Sequence, residues 1–305
     1  MNARKRVRVR VPATSANLGP GFDCLGLTLD LWNEAEFILE GESLRLTCLG
    51  EGQQIPTDDR NLIVQAVHFF CDVRGLPLPR GLTIHCNNHI PVGSGMGSSA
   101  AAALIGILGA AALLEDQPLA RDEALNLAAR LEGHADNAAP ALLGGLSIVA
   151  SGKKGWLVQR IEIPVLQVVV VLPGVNLSTT AARAALPLEV SMKDATFNLG
   201  HALLVVEALR KGDLALLREA MDDRLHLPYR LPLIPGSQKA MQDAYQAGAE
   251  AVTISGAGPS LIAFTDQDPE PIARAMSAAF QEHQVPSRAF LLKTSPTGAA
   301  VSSAE

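Results

Sequence analysis

Pro91-Val92-Gly93-Ser94-Gly95-Met96-Gly97-Ser98-Ser99 runs without a break into the alanines at 100–103. Three glycines at every second position strip the loop of side chains, so that backbone N–H groups can turn inward on one anion. Ser98 and Ser99 stand where an apolar run begins, and the pattern predicts a helix from about 98 to 114. The start of a helix offers unpaired N–H donors and a partial positive charge, which suits a triphosphate. No Gly-Lys-Ser/Thr triplet closes the loop, so it is not a Walker A. Its third glycine comes one place too early for a dinucleotide fingerprint. Taken alone, the nine residues also read as a flexible turn with a serine cap.

Outward from this loop, strand-like runs lie near 4–11, 24–31, 34–40, 44–49 and 81–87, with a helical pattern at about 60–73. After the loop helix come a helix at 121–132 and strands near 145–150 and 156–163. The second half opens on residues 165–172, VLQVVVVL, a buried strand between Pro164 and Pro173. Helices follow near 192–211, 213–221 and 237–247, then strands at 250–254 and 260–265, a helix at 269–282 and a strand at 287–292. Strand–helix–strand–strand–helix–strand with inserted helices is the order of a ferredoxin-like sandwich. The fold class is α+β, with two domains expected at 1–163 and 164–305. The small, polar tail after Lys293 is expected to fray.

Of the 305 residues, 48% are hydrophobic and 18% charged, enough apolar material for packed interiors. The formal net charge of −6 gives no general attraction for nucleic acid, which needs a basic face. Arg4, Lys5, Arg6, Arg8 and Arg10 crowd the start, but no signal-peptide core follows, and Val7, Val9 and Val11 alternate with three of them as in a half-buried strand. The apolar run at 100–114 is too short to span a bilayer. Cys24, Cys48, Cys71 and Cys86 lie far apart and form no CxxC pair, as expected of reduced thiols in the cytoplasm. His85 and His89 share one strand face, but Cys86 between them points away and no second ligand pair exists for zinc.

Three further segments carry chemistry. Residues 12–23, PATSANLGPGFD, crowd hydroxyl, amide and carboxylate groups between two strands, as a polar-metabolite site or a merely decorated loop. Glu132-Gly133-His134-Ala135-Asp136-Asn137 ends a helix and puts two carboxylates, an imidazole and an amide within six residues. A carboxylate there can hold Mg²⁺, and helix capping is the other reading. Ser255-Gly256-Ala257-Gly258-Pro259-Ser260 joins two strands, either as a plain hairpin or as backbone brought close to a cleft.

In order and spacing these segments resemble the signature motifs of the GHMP kinases, the superfamily of galactose, homoserine, mevalonate and phosphomevalonate kinases. The stretch 223–230, DRLHLPYR, followed by Leu233-Ile234-Pro235-Gly236, resembles the homoserine kinase branch. The resemblance implies an N-terminal domain like the second domain of ribosomal protein S5, a C-terminal ferredoxin-like domain, and a cleft between them. It also implies transfer of the ATP γ-phosphate to the hydroxyl of L-homoserine. ATP is then expected on Pro91, Val92, Gly93, Ser94, Gly95, Met96, Gly97, Ser98, Ser99, Ala100 and Ala101. Mg²⁺ is expected on Glu132 and a hydroxyl of the Ser98/Ser99 pair.

For the acceptor, the resemblance implies Asn17, Asp23 and Asn137 around homoserine, with Asp23 nearest the reacting hydroxyl and His134 and Asp136 lining the pocket. Arg183 and Arg230 match arginines that clasp the substrate carboxylate, a task that suits a planar fork, with Thr179 beside them. Mevalonate kinases place a lysine where this chain has Thr14, and an aspartate base in the segment matching Asp136-Asn137. If Asn137 rather than Asp136 occupies that spot, no strong base remains and in-line attack without an obligatory base is expected. Asp23 is the fallback base, and Asp23 and Asn137 are the expected catalytic residues. A homodimer is expected by family analogy. Another acceptor, such as shikimate or mevalonate, or a silent metabolite sensor, is the competing expectation.

Overall fold

The computed structural model describes residues 6–52, 54–153 and 155–303; Arg4 and Lys5 of the basic run lie outside them. The first sheet is built from β1 (Arg6–Ala16), β2 (Leu25–Leu39), β3 (Leu44–Gly50), β4 (Leu82–Asn88), β5 (Leu146–Gly152), β6 (Gly155–Ile161) and, from the far end of the chain, β11 (Ala300–Ser303). Its order is β11-β1-β2-β4-β3, with β5 pairing to β2 and to β6. Helices α1 (Leu62–Arg74), α2 (Ser98–Leu114), α3 (Arg121–Glu132) and the short α4 (Ala138–Leu143) belong to the same half of the chain.

Alternation sets the register of β1. Val7, Val9 and Val11 are fully buried while Arg6, Arg8 and Arg10 are exposed. A slip of one residue would expose three valines, each worth about 1.5–3 kcal/mol, and bury three guanidinium groups. The basic face is neutralised across the ladder, where Arg10 Nε lies 2.6 Å from Glu34 Oε1 and Arg6 and Arg8 approach Glu36. The two runs read at 24–31 and 34–40 are one 15-residue strand, and the break between them is a bulge where the register shifts after Pro12. α2 is buried nearly all round and needs its small residues. A Cβ on Gly106 would stand 2.4 Å from the Ile63 carbonyl, and one on Gly109 would stand 2.4 Å from the Phe37 ring.

The second sheet comprises β7 (Gln167–Pro173), β8 (Ala251–Ile254), β9 (Leu261–Thr265) and β10 (Ser287–Lys293) in the order β10-β7-β9-β8, antiparallel throughout. In chain order that is 4-1-3-2, the ferredoxin-like arrangement. Val168 to Val171 are completely buried, as a strand covered on both faces requires. α5 (Thr179–Ala184), α6 (Met192–Lys211), α7 (Leu214–Ala220) and α8 (Leu227–Arg230) lie between β7 and β8 in the chain, as do a 3-10 turn at Leu231–Leu233 and α9 (Ser237–Gln246). α10 (Pro269–Glu282) links β9 to β10.

The tail does not fray. After β10 the chain crosses back to the first sheet, where Ser295 N donates to the Thr28 carbonyl and β11 pairs antiparallel with β1, Val9 facing Val301. The open N–H and C=O groups along the edge of β1 supply partners that local sequence does not reveal.

Candidate active site

The phosphate loop is held from three sides. Asn33 is buried on β2 and accepts from the amides of His89 and Ile90 at 2.8 and 2.9 Å, fixing the entry. Thr14 N donates to the Met96 carbonyl, which ties the loop to β1. The hairpin between β8 and β9 covers it, with Ser255 Oγ donating to the Gly95 carbonyl at 2.8 Å and Ser260 N to that of Ser94.

The glycines divide the work. A Cβ on Gly95 would stand 2.3 Å from the Ser255 carbonyl, and one on Gly97 would stand 2.0 Å from Thr14 Oγ1. A Cβ on Gly93 would meet nothing, so the loop is open there. Gly97 caps α2 in the left-handed conformation and no side chain bonds to the first-turn amides. Those donors are free for an anion, which is what a nucleotide's phosphates require. Pro91, Ser94, Met96, Ala100 and Ala101 are buried, Gly93 lies at the surface and Val92 is 56% exposed.

Ser99 Oγ donates to Glu132 Oε1 at 2.6 Å, joining the first turn of α2 to the last residue of α3. Ser98 precedes it on the same turn. A hydroxyl and a carboxylate beside a phosphate cradle are the oxygen donors that Mg²⁺ takes. Among the described residues no group of three His, Cys, Asp or Glu side chains is arranged to hold a metal ion. An ion bound at Ser99 and Glu132 would need its remaining ligands from outside the protein's own carboxylates, imidazoles and thiols.

On the other side of Gly97, Thr14 Oγ1 donates to Asn137 Oδ1 at 2.8 Å. Asn137 thus borders the phosphate loop, whereas the buried Asp136 turns to His134, whose Nδ1 lies 2.8 Å from Asp136 Oδ1. The carboxylate beside it raises the imidazole pKa above its ordinary value, against the opposing effect of burial.

The loop 17–23 is strained. Asn17, Leu18 and Asp23 all have positive φ (70°, 50° and 56°), a conformation that non-glycine residues hold only when surroundings impose it. Asn17 imposes part of it, accepting from Asp23 N at 2.9 Å while its Nδ2 donates to the Gly256 carbonyl at 2.7 Å. Arg230 Nη1 reaches the same carbonyl at 3.4 Å. Arg183 bonds both oxygens of Asp23, at 2.9 and 3.0 Å, and both arginines approach the Phe22 ring. Thr179 is exposed at the first position of α5, one turn before Arg183.

Residues up to 239 positions apart, as Asn17 and Gly256 are, therefore meet at one place. The model of the GHMP kinases N terminal domain matches residues 61–145, and that of the GHMP kinases C terminal domain matches residues 205–282. The chain belongs to the GHMP kinase family.

The curated relatives of this GHMP kinase include homoserine kinases. That of Moorella thermoacetica is 47% identical over 277 residues, covering 89% of this chain and 92% of that protein. That of Gloeobacter violaceus is 46% identical over 281 residues, with 89% and 92% covered. The crystal structure of homoserine kinase from Cytophaga hutchinsonii is similar with a TM-score of 0.86 at 28% identity, covering 99% of both chains. An L. major mevalonate kinase solved with R-mevalonate shares the fold at a TM-score of 0.74 and 18% identity, covering 95% of this chain and 96% of that one.

Within this GHMP kinase, sequence reasoning passed over Phe22, His226 and the Gly256 carbonyl. The first two stand inside quoted motifs, but neither residue type by itself points to an acceptor site. The carbonyl leaves no trace in sequence at all.

Proposed function

We propose that the protein transfers the γ-phosphate of ATP to the side-chain hydroxyl of L-homoserine, giving O-phospho-L-homoserine and ADP, as a step of threonine biosynthesis. The observation that carries the acceptor is Arg230, a guanidinium 1% exposed whose polar contacts are two carbonyls and an imidazole, all at 3.4–3.5 Å. A buried cation so loosely met suits an incoming carboxylate. An amino-acid alcohol also needs an anion for its ammonium, and Asp136 and Asp23 supply carboxylates in the same region. The named relatives support the same acceptor.

In this reading residues 91–101 bind the nucleotide and the free amides of α2 take its phosphates. Glu132 and a hydroxyl of Ser98 or Ser99 hold Mg²⁺, which supplies charge neutralisation on the phosphates. Asn17, Asp23, His134, Asp136 and Asn137 surround homoserine, with Thr179, Arg183 and Arg230 toward its carboxylate. Phosphoryl transfer demands mainly positioning and electrostatics. The place of a catalytic aspartate is taken by Asn137, whose amide cannot accept a proton usefully, so the hydroxyl attacks in line without an obligatory base.

We further propose a division at 163/164, a cytoplasmic location, no nucleic-acid partner and a homodimer. The acidic charge and four free cysteines support the location and the absence of a nucleic-acid partner. Met192, Leu199 and Leu203, exposed along α6, support association, which light scattering tests. No described helix is long and apolar enough to cross a membrane.

The test is ADP release with Mg-ATP over homoserine, mevalonate and shikimate. Homoserine is expected to win clearly, with its KM raised in Arg230→Ala. Turnover of none sinks the kinase reading, and preference for another acceptor sinks the substrate.

A further inference from the structure

The segment 223–230 contributes more than one arginine. Asp223, 5% exposed, accepts from the amides of Leu225, His226 and Leu227 at 3.1, 2.8 and 2.6 Å, and from Asn198 Nδ2 at 2.6 Å. With its oxygens so occupied, the carboxylate fixes the turn that opens α8 and sets the imidazole of His226 in a fully buried position.

The ring has two distinct jobs. Its Nε2 lies 2.7 Å from the Gly19 carbonyl, which can only accept, so Nε2 carries the hydrogen. Nδ1 is left with a lone pair, and it faces Arg230 Nη1 at 3.5 Å. The charged groups around the ring are Asp223, 3.7 Å from Nε2, then Arg230 and Asp23. Protonating Nδ1 would aim an N–H at a buried guanidinium. Burial also pushes the imidazole pKa down, so the ring stays neutral.

A 3.5 Å contact is weak by itself. It matters because Arg230 has nothing stronger: Nε reaches the Ala182 carbonyl and Nη1 the Gly256 carbonyl, both at 3.4 Å, over Phe22 at 5.0 Å. The guanidinium is aligned from one side and uncommitted on the other, and such contacts tighten when a ligand fills the site.

We propose that His226 is a positioning residue of the acceptor site, its Nδ1 lone pair aiming Arg230 at the acceptor carboxylate while its Nε2–H fastens it to Gly19 in the loop that presents Asn17 and Asp23. The proposal rests on the reading of Arg230 as the carboxylate clasp. A packing role would use the ring's volume and the Gly19 bond, but not the lone pair.

Two substitutions separate the jobs. In His226→Gln the amide reaches the Nε2 position and keeps a donor for Gly19, but the acceptor at Nδ1 is lost. In His226→Asn the amide oxygen falls near Nδ1 and keeps the acceptor. Steady-state ADP release with Mg-ATP and homoserine, together with thermal unfolding, is compared for both variants and for Arg230→Ala. His226→Gln is expected to raise the homoserine KM about tenfold, the scale of one hydrogen bond to a charged group, with kcat and the ATP KM little changed. His226→Asn restores most of that loss. Adding His226→Gln to Arg230→Ala raises the KM no further.

Equal KM values for wild type and both variants, or equal losses for homoserine and ATP tracking the fall in Tm, overturn the proposal while Arg230→Ala keeps its effect. An Arg230→Ala enzyme with an unchanged homoserine KM overturns the clasp reading itself, and this proposal with it. Nitrogen NMR of the wild-type protein covers variants that fail to fold. The Nε2–H tautomer of His226, with an Nδ1 shift that moves on adding homoserine, is expected, and an Nδ1–H tautomer overturns the proposal.

Discussion

Arg183 grips Asp23 by both ends, Nη1 2.9 Å from Oδ2 and Nη2 3.0 Å from Oδ1. The pair joins α5 to the strained loop after β1, across 160 residues of sequence. It also commits both oxygens of the carboxylate proposed to lie nearest the reacting hydroxyl. Both side chains are more than one-third exposed, so the pair orients groups more than it stabilises the fold.

Asp23→Asn is therefore expected to lower kcat by less than about tenfold, since a general base contributes roughly a hundred- to ten-thousandfold. Steady-state rates with homoserine binding measured in parallel decide the matter. Loss of turnover on the larger scale, with homoserine still bound normally, would refute baseless transfer.

Glu132→Gln removes the charge that meets Ser99 Oγ at 2.6 Å. The Mg²⁺ concentration for half-maximal rate is expected to rise on the order of ten- to a hundredfold, with the homoserine KM little affected. Titrating Mg²⁺ at saturating ATP measures this, and an unchanged requirement places the ion elsewhere.

Gly93 and Gly97 share a left-handed backbone, at φ 66° and 71°, but differ in surroundings. Alanine at 93 faces open space and bears only the conformational cost, about 1–2 kcal/mol. Alanine at 97 adds a clash with Thr14 Oγ1 and is expected to destabilise more, by about 2–4 kcal/mol. It also raises the ATP KM. Urea denaturation of the two variants checks the order; equal losses would mean that Thr14 can move aside.

His134 is held above its ordinary pKa by Asp136. A group whose pKa is higher folded than unfolded adds stability that is whole below the unfolded value, about 6.5, and fades as pH rises through the folded one. The Tm gap between wild type and His134→Gln is expected to be largest near pH 5 and to narrow above neutrality. A gap independent of pH would show that the Asp136 contact carries no charge.

Much of this was legible along the chain because the rules involved are local. Alternating Arg and Val specified β1, and α6 and α10 fall where their periodicity put them. Four- to six-residue helices such as α4, α5 and α8 escaped, being too short to show a period. So did β11, in which only Val301 of four residues favours a strand and which pairs because β1 offers an open edge.

By itself the sequence determined the glycine-rich loop and its helix, the longer strands and helices in their chain order, and the family motifs, all of which depend on spacing between near neighbours. Only the tertiary structure decided that Asn17 and Arg230 share the Gly256 carbonyl, that Thr14 takes Asn137 while His134 takes Asp136, and that His226 bridges Gly19 to Arg230. Apart from the His134–Asp136, His226–Arg230 and Arg230–Gly256 contacts, those meetings join residues more than a hundred positions apart. Their partners are chosen by how the two sheets and their helices pack, and backbone carbonyls, present at every residue, leave no mark in the amino-acid order.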